Sequence, residues 1–131
     1  MGQITFANSY QQQGRGGFAY SPNYSYMYSG NRVTSVTEDK SAGDVWINRN
    51  ETWDADDWKP GGDGYLTLLH EVGHALGLKH PFEGNHRVLT SLDSERYTVM
   101  SYTQATKTTL IEVQGNSGSY TGTSRRCVPA R

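Results

Sequence analysis

The sequence predicts a single α+β domain, and three observations carry that prediction. Strand-like runs come before any helix, one segment alone sustains a helical period, and the remainder is glycine- and tyrosine-rich chain of low apolar content. A length of 131 residues leaves room for one domain with a modest core and not for two ordinary ones. Apolar residues make up 34% of the chain, beside 15 glycines and 9 tyrosines. That balance suits a loop-rich fold with a thin core better than a helical bundle.

The first strand candidate is Ile4-Thr-Phe-Ala7, followed by the polar, glycine-rich connection Gln11-Gln-Gln-Gly-Arg-Gly-Gly17. Phe18-Ala-Tyr20 and Asp44-Val-Trp-Ile-Asn48 are the next two, and the Ser/Asn/Tyr/Gly segment between them has no helical period. Lys59-Pro-Gly-Gly-Asp-Gly64 is turn chemistry, with Asp63 placed to cap a helix starting near Tyr65. From there Tyr65, Leu66, Leu69, Val72, Ala75 and Leu76 recur at spacings of three and four, so an apolar stripe runs to Gly77. Gly77 stands where a chain leaving a helix commonly turns left-handed, and Pro81 keeps the helix from resuming. The stretch from Glu83 to Arg96 is polar and irregular. From Gln114 to Arg131 there is neither period nor apolar content, so residues 1–113 are expected to fold and residues 114–131 to form a disordered Gly/Ser/Thr-rich tail.

Charge excludes some partners. Twelve basic and 13 acidic residues give a formal net charge of −1, mixed along the chain, which offers no electrostatic case for nucleic acid or an anionic membrane. No stretch approaches the ~20 apolar residues of a membrane span, and Met1 to Tyr10 lacks the basic-then-apolar order of a signal peptide. Cys127 is the one cysteine, so neither an intramolecular disulfide nor a cysteine-rich metal cluster is available.

The chemistry lies in His70-Glu-Val-Gly-His-Ala-Leu-Gly-Leu-Lys-His80. Residues four apart on a helix are turned by roughly 40° and rise about 6 Å, so His70 and His74 project from one face toward a single ion. Catalytic zinc usually takes three protein ligands and leaves a position for water. A straight helix would carry His80 away; a bend at Gly77 can return it, which makes Gly77 part of the metal geometry. Glu71 faces the edge of the site, where its carboxylate can move a proton from a metal-activated water to a leaving amine. It acts there as a general base, not as a ligand. A His-x-x-x-His pair alone is usually just a polar helix face, but five specified residues agree here, and a chance match is below about one in ten thousand. Thr98-Val-Met-Ser-Tyr102 follows some twenty residues on, where Met100 in a tight turn would give the histidines a soft apolar floor. The phenol of Tyr102 could reach the metal or a developing oxyanion.

The extended histidine motif with a downstream methionine turn resembles the metzincin zinc endopeptidases. Pro81 directly after the third histidine, and Val99-Met-Ser-Tyr102 at the turn, look most like the serralysin family of secreted bacterial proteases. The resemblance implies one Zn2+ per chain held by His70, His74 and His80, Glu71 as catalytic base, Met100 as the Met-turn residue, and Tyr102 as a movable partner that stabilises the tetrahedral intermediate. It implies an antiparallel edge strand at Gly17 to Ser21 above the cleft, with Ala19 a contact for extended peptide or protein substrates. It also implies an extracellular, monomeric enzyme. Against the family pattern, the chain lacks two strands and a long helix ahead of Ile4, a closing helix after Tyr102, and calcium-binding glycine repeats, so an incomplete catalytic domain is expected: a short twisted sheet, the active-site helix and an irregular lower part. A zinc-binding fragment with impaired catalysis is the alternative, and a closed four-ligand structural zinc module is a third. His86 is expected to be solvated. Asp54, Asp56 and Asp57 read as a solvated acidic turn without calcium-loop spacing, and Tyr20, Tyr24, Tyr26 and Tyr28 as surface and strand packing.

Overall fold

In the computed structural model, which describes residues 3–105, 108–111 and 120–123, the chain opens with β1 (Thr5–Ser9) and β2 (Gly17–Ala19). It doubles back through β3 (Tyr24–Ser29) and β4 (Arg32–Glu38) and returns as β5 (Asp44–Asn48). β5 sets Val45, Trp46 and Ile47 in succession, β-branched and aromatic residues that suit a strand paired on both edges. It lies between the other two in the order β1-β5-β2, parallel to β1 and antiparallel to β2. The three expected strands therefore form one sheet, with β2 at its edge.

Helix α1 (Asp63–Ala75) covers one face of this sheet. Val45 and Ile47 point to it and pack with Ala75, joined by the partly buried Ala19, Trp53, Leu68 and Val72. This small cluster is the apolar core between helix and sheet, thin as the composition anticipated; Met100 is the further buried apolar side chain among the described residues. The expected stripe is corrected in part. Leu68 packs on the core although it lay outside the stripe, whereas Leu69 and Leu76 are 38% and 64% exposed. The reason is that α1 buries two faces: one meets the sheet, and the other carries His70, Glu71 and Gly73 toward the site.

The cap at Asp63 is also corrected. Gly62 occupies the N-cap position without a side-chain cap bond, and Asp63 is the first helical residue, where a negative charge still favours the helix dipole. The orphan amide of Tyr65 donates instead to the carbonyl of Asp57 at 2.8 Å. That carbonyl is presented by an acidic turn in which Asp54 Oδ1 accepts the amides of Asp56 and Asp57. Lys59 pairs with Asp56.

Sequence reading found no element in the segment that forms the β3–β4 hairpin. The strands pair through the two-residue turn Gly30-Asn31, with a bulge at Met27/Tyr28. Tyr24, Tyr26 and Tyr28 lie opposite Glu38, Val36 and Val33, and both strands are exposed along their length. Tyr120–Thr123, within the expected tail, pairs antiparallel with Thr108–Ile111; residues 114–119 and 124–131 of that tail lie outside the described residues. No helix among the described residues is long and apolar enough to cross a membrane.

Asn48 at the end of β5 fixes the loop leading into β2. It is fully buried. Its Oδ1 accepts the amides of Gln11 and Asn50, each at 2.9 Å, and its Nδ2 donates to the carbonyls of Gln12 and Arg15 at 3.0 and 2.6 Å. Asn48→Ala leaves four backbone groups without that partner. We expect a loss of about 2–3 kcal/mol in a urea unfolding titration; a loss within experimental error would mean that water replaces the side chain.

Candidate metal centre

The last turn of α1 sets the geometry. Leu76 is the C-cap and Gly77 has φ +90°, the left-handed conformation that closes a Schellman motif: Leu78 N–H donates to Gly73 O and Gly77 N–H to His74 O, both at 2.9 Å. The chain reverses there and brings His80 back to the helix. A side chain at position 77 would meet Pro22 at an ordinary 3.6 Å, so the requirement for glycine is conformational. Gly77→Ala should cost about 1–2 kcal/mol, read as a lower urea midpoint, and should weaken metal binding as the turn relaxes. Unchanged stability would show that this turn tolerates the conformation in alanine.

The three imidazoles converge. His80 Nε2 lies 3.2 Å from His70 Nε2 and 3.1 Å from His74 Nε2, and among the described residues this is the one group of three or more potential ligands gathered within 4.8 Å. Zinc bound tetrahedrally at about 2.0–2.1 Å would separate its nitrogens by about 3.3 Å. The tautomers agree. His70 Nδ1 is 2.7 Å from the carbonyl of Val99, and His74 Nδ1 is 2.9 Å from that of Leu78. A carbonyl only accepts, so each Nδ1 carries the proton and each Nε2 offers a lone pair to the common centre. Facing lone pairs repel unless a cation lies between them. The donor set fits one Zn2+ ion, and three ligands leave a position open.

The Met-turn lies below. Val99, whose carbonyl orients His70, precedes Met100, which is 3% exposed and packs against Gly73 so closely that a side chain there would overlap its sulfur. Thr98 Oγ1 accepts the Met100 amide at 3.1 Å, and Ser101 Oγ donates to Asp93 Oδ1 at 2.6 Å. Tyr102 is 65% exposed with its ring stacked on His70 at 5.3 Å and tilted on His80 at 4.6 Å.

Electrostatics follow from burial. Desolvation lowers the His70 pKa, opposed by its bond to Val99, which favours the neutral imidazole that a metal requires. Burial pushes the Glu71 carboxyl up to about 7, while His80 and Arg15 pull it down; a dication beside it pulls the same way as they do. Partial burial, with the charges of Glu71 and Glu83, raises the Tyr102 phenol.

A cleft of about 680 Å³ runs between β2 and the helix, lined by Arg15, Ala19, Glu71, Glu83 and Tyr102 among others. Every site residue expected from sequence is at this centre: His70, His74 and His80 as a cluster, Glu71 in the cleft wall, Gly77 at the reversal, Met100 beneath and Tyr102 at the rim. His86 is exposed, and its carbonyl accepts from Lys79. Sequence reading missed what stands behind the ligands. The carbonyls of Val99 and Leu78 carry no residue-type signal. Glu83 does, three residues past His80.

The matrixin peptidase family model matches residues 25–110, from the hairpin through α1 and the Met-turn. The chain is similar to a serralysin of Proteus mirabilis, 35% identical over 108 residues, which is 76% of this chain and 20% of that protein. It is similar to metalloprotease AprA of Pseudomonas entomophila, 34% identical over 110 residues, 77% of this chain and 20% of that protein. Serralysin G of Dickeya chrysanthemi is 37% identical over 73 residues, 48% of this chain and 15% of that protein. The chain thus spans a fifth or less of these relatives. The family match corrects the serralysin assignment. That assignment weighed the run from His70 to Pro81 and the four residues Val99 to Tyr102, all beside the metal site, whereas the family pattern draws on 86 residues. The chain belongs to the matrixin family of peptidases.

Proposed function

We propose that this chain is the catalytic part of a zinc-dependent endopeptidase that hydrolyses internal bonds of extended peptide or protein substrates. The observation that carries the reading is the convergence of three histidine Nε2 atoms beside a buried carboxylate, in a cleft walled by a free strand edge. Zn2+ supplies Lewis acidity when bound, polarising a carbonyl and acidifying a water. The remaining steps belong to the chain's own groups. Glu71 accepts the proton of the attacking water and delivers it to the leaving amine nitrogen. The Tyr102 phenol, held over the imidazoles, donates a hydrogen bond to the carbonyl oxygen as charge gathers on it.

Substrate binding falls to β2. Asn48 N–H bonds to Gly16 O, and Tyr20 N–H to Asp44 O, so by strand alternation the peptide groups of Gly17 and Ala19 face away from β5. They are free to pair with an extended peptide.

A second reading, a zinc-binding piece with impaired turnover, is favoured by one observation. Phe6, Leu69 and Leu76, beside the helix–sheet core, are 57%, 38% and 64% exposed, which leaves the support of the cleft thinly packed. Casein digestion by the zinc-loaded chain separates the two. The endopeptidase reading expects cleavage that phenanthroline abolishes and added Zn2+ restores. A chain that holds one zinc and cleaves nothing supports the second reading.

A further inference from the structure

We propose that Glu83 is the positioning residue of the metal centre: its carboxylate holds His80, the one ligand supplied by a loop, through both the imidazole Nδ1 and the backbone amide. The inference rests on the three-histidine site and not on turnover. His70 and His74 are placed by α1, and their Nδ1 atoms face carbonyls of the Met-turn and the Schellman turn. His80 has neither support. For its Nε2 to offer a lone pair, the proton must sit on Nδ1, which is buried and has no hydrogen-bond partner of good alignment. What faces it is Glu83 Oε1 at 2.8 Å, at ion-pair distance but off the hydrogen-bond axis. A buried N–H needs an acceptor, and a modest turn of this carboxylate supplies a charged one.

The surroundings fix Glu83 for this task. Its Oε2 accepts the His80 amide at 3.3 Å, and its own amide donates to the His80 carbonyl at 3.1 Å, closing the turn in both directions. Lys79 Nζ donates to the carbonyls of Glu83 and His86, each at 2.9 Å, and so ties down the far side of the loop. Phe82 stacks on the His80 ring at 5.0 Å with an interplanar angle of 4°, fixing the plane in which Nδ1 points. A carboxylate behind a ligating imidazole orients the ring and makes it a better donor, and removing such a partner typically costs about 10- to 100-fold in metal affinity.

The test is Zn2+ affinity by competition with a chromophoric chelator, together with the visible spectrum of the Co2+-loaded protein and the thermal midpoint of the metal-free protein. Glu83→Ala should weaken Zn2+ binding by about 10- to 100-fold and alter the Co2+ ligand-field bands. Glu83→Gln, which keeps the shape and a neutral acceptor, should fall between it and the wild type. The metal-free midpoint should barely move. The proposal is overturned if both variants bind Zn2+ within about twofold of wild type, or if the metal-free midpoint falls while the Co2+ spectrum is unchanged, since Glu83 would then serve the loop and not the metal. Should Glu83→Ala not fold, Glu83→Gln decides alone. Wild-type protein that binds Zn2+ tightly yet cleaves nothing would sink the endopeptidase reading and leave this one standing.

Discussion

Glu71→Gln should keep one zinc per chain and lose about 10²- to 10⁴-fold in peptide hydrolysis, the range a positioned general base supplies. The change removes basicity while preserving side-chain volume, which matters because Glu71 is 7% exposed and lies against β2 near Gly17. Its carboxylate is outside the three-nitrogen cluster, so the metal should remain. Zinc analysis and turnover measured on the same sample check both halves. Retained hydrolysis would place the proton transfer elsewhere, with Tyr102 or a cleft carboxylate the next group to vary. Lost zinc would instead make Glu71 part of the coordination, against its place as a base outside the three histidine ligands.

The second large effect is on the metal itself. His74→Ala should weaken zinc binding by roughly 10²- to 10³-fold: four-ligand structural sites hold zinc with about 10–16 kcal/mol, so one imidazole is worth on the order of 3–4 kcal/mol. This histidine isolates the effect well. It is only partly buried, its ring makes one bond outside the cluster, to the carbonyl of Leu78, and alanine is the best helix former. The metal-free variant should therefore fold with an unchanged far-ultraviolet spectrum. Zinc bound as tightly as in wild type would show that the ion is held by other residues.

The histidine motif was legible because its chemistry depends on residue type at fixed helical spacing, and a left-handed glycine is one of the few backbone events that sequence marks. The same holds for Asp44–Asn48, where consecutive apolar residues announce a strand buried in a sheet. The β3–β4 hairpin was harder to see. β3 alternates tyrosine with serine and methionine, β4 sets Val33 and Val36 three apart, and both are exposed along nearly all their length, so no shared hydrophobic contrast marks the period, although Gly30-Asn31 between the two runs is a hairpin signal in its own right. The helix was found and its faces were misjudged: a stripe count assumes one buried side, while α1 serves both a sheet and a metal site. The family assignment failed for a related reason. Pro81 and Val99 to Tyr102 adjoin the zinc chemistry, and residues so close to a shared site separate related families poorly.

Support behind the ligands was least legible. Val99 and Leu78 act through backbone carbonyls, which every residue possesses, and only the turn geometry aims them at His70 and His74. Asn48 is similar. Its role as the hub of the loop before β2 follows from complete burial beside four backbone groups, which a polar residue at a strand end does not disclose.

Zinc K-edge X-ray absorption on the purified chain tests the three-histidine centre most directly. The structure predicts one zinc per chain with three imidazole nitrogens at about 2.0–2.1 Å and one or two further light atoms at the open position. A sulfur neighbour at about 2.3 Å, which only Cys127 or a methionine could supply, or a shell of four imidazoles closing the site, would contradict it.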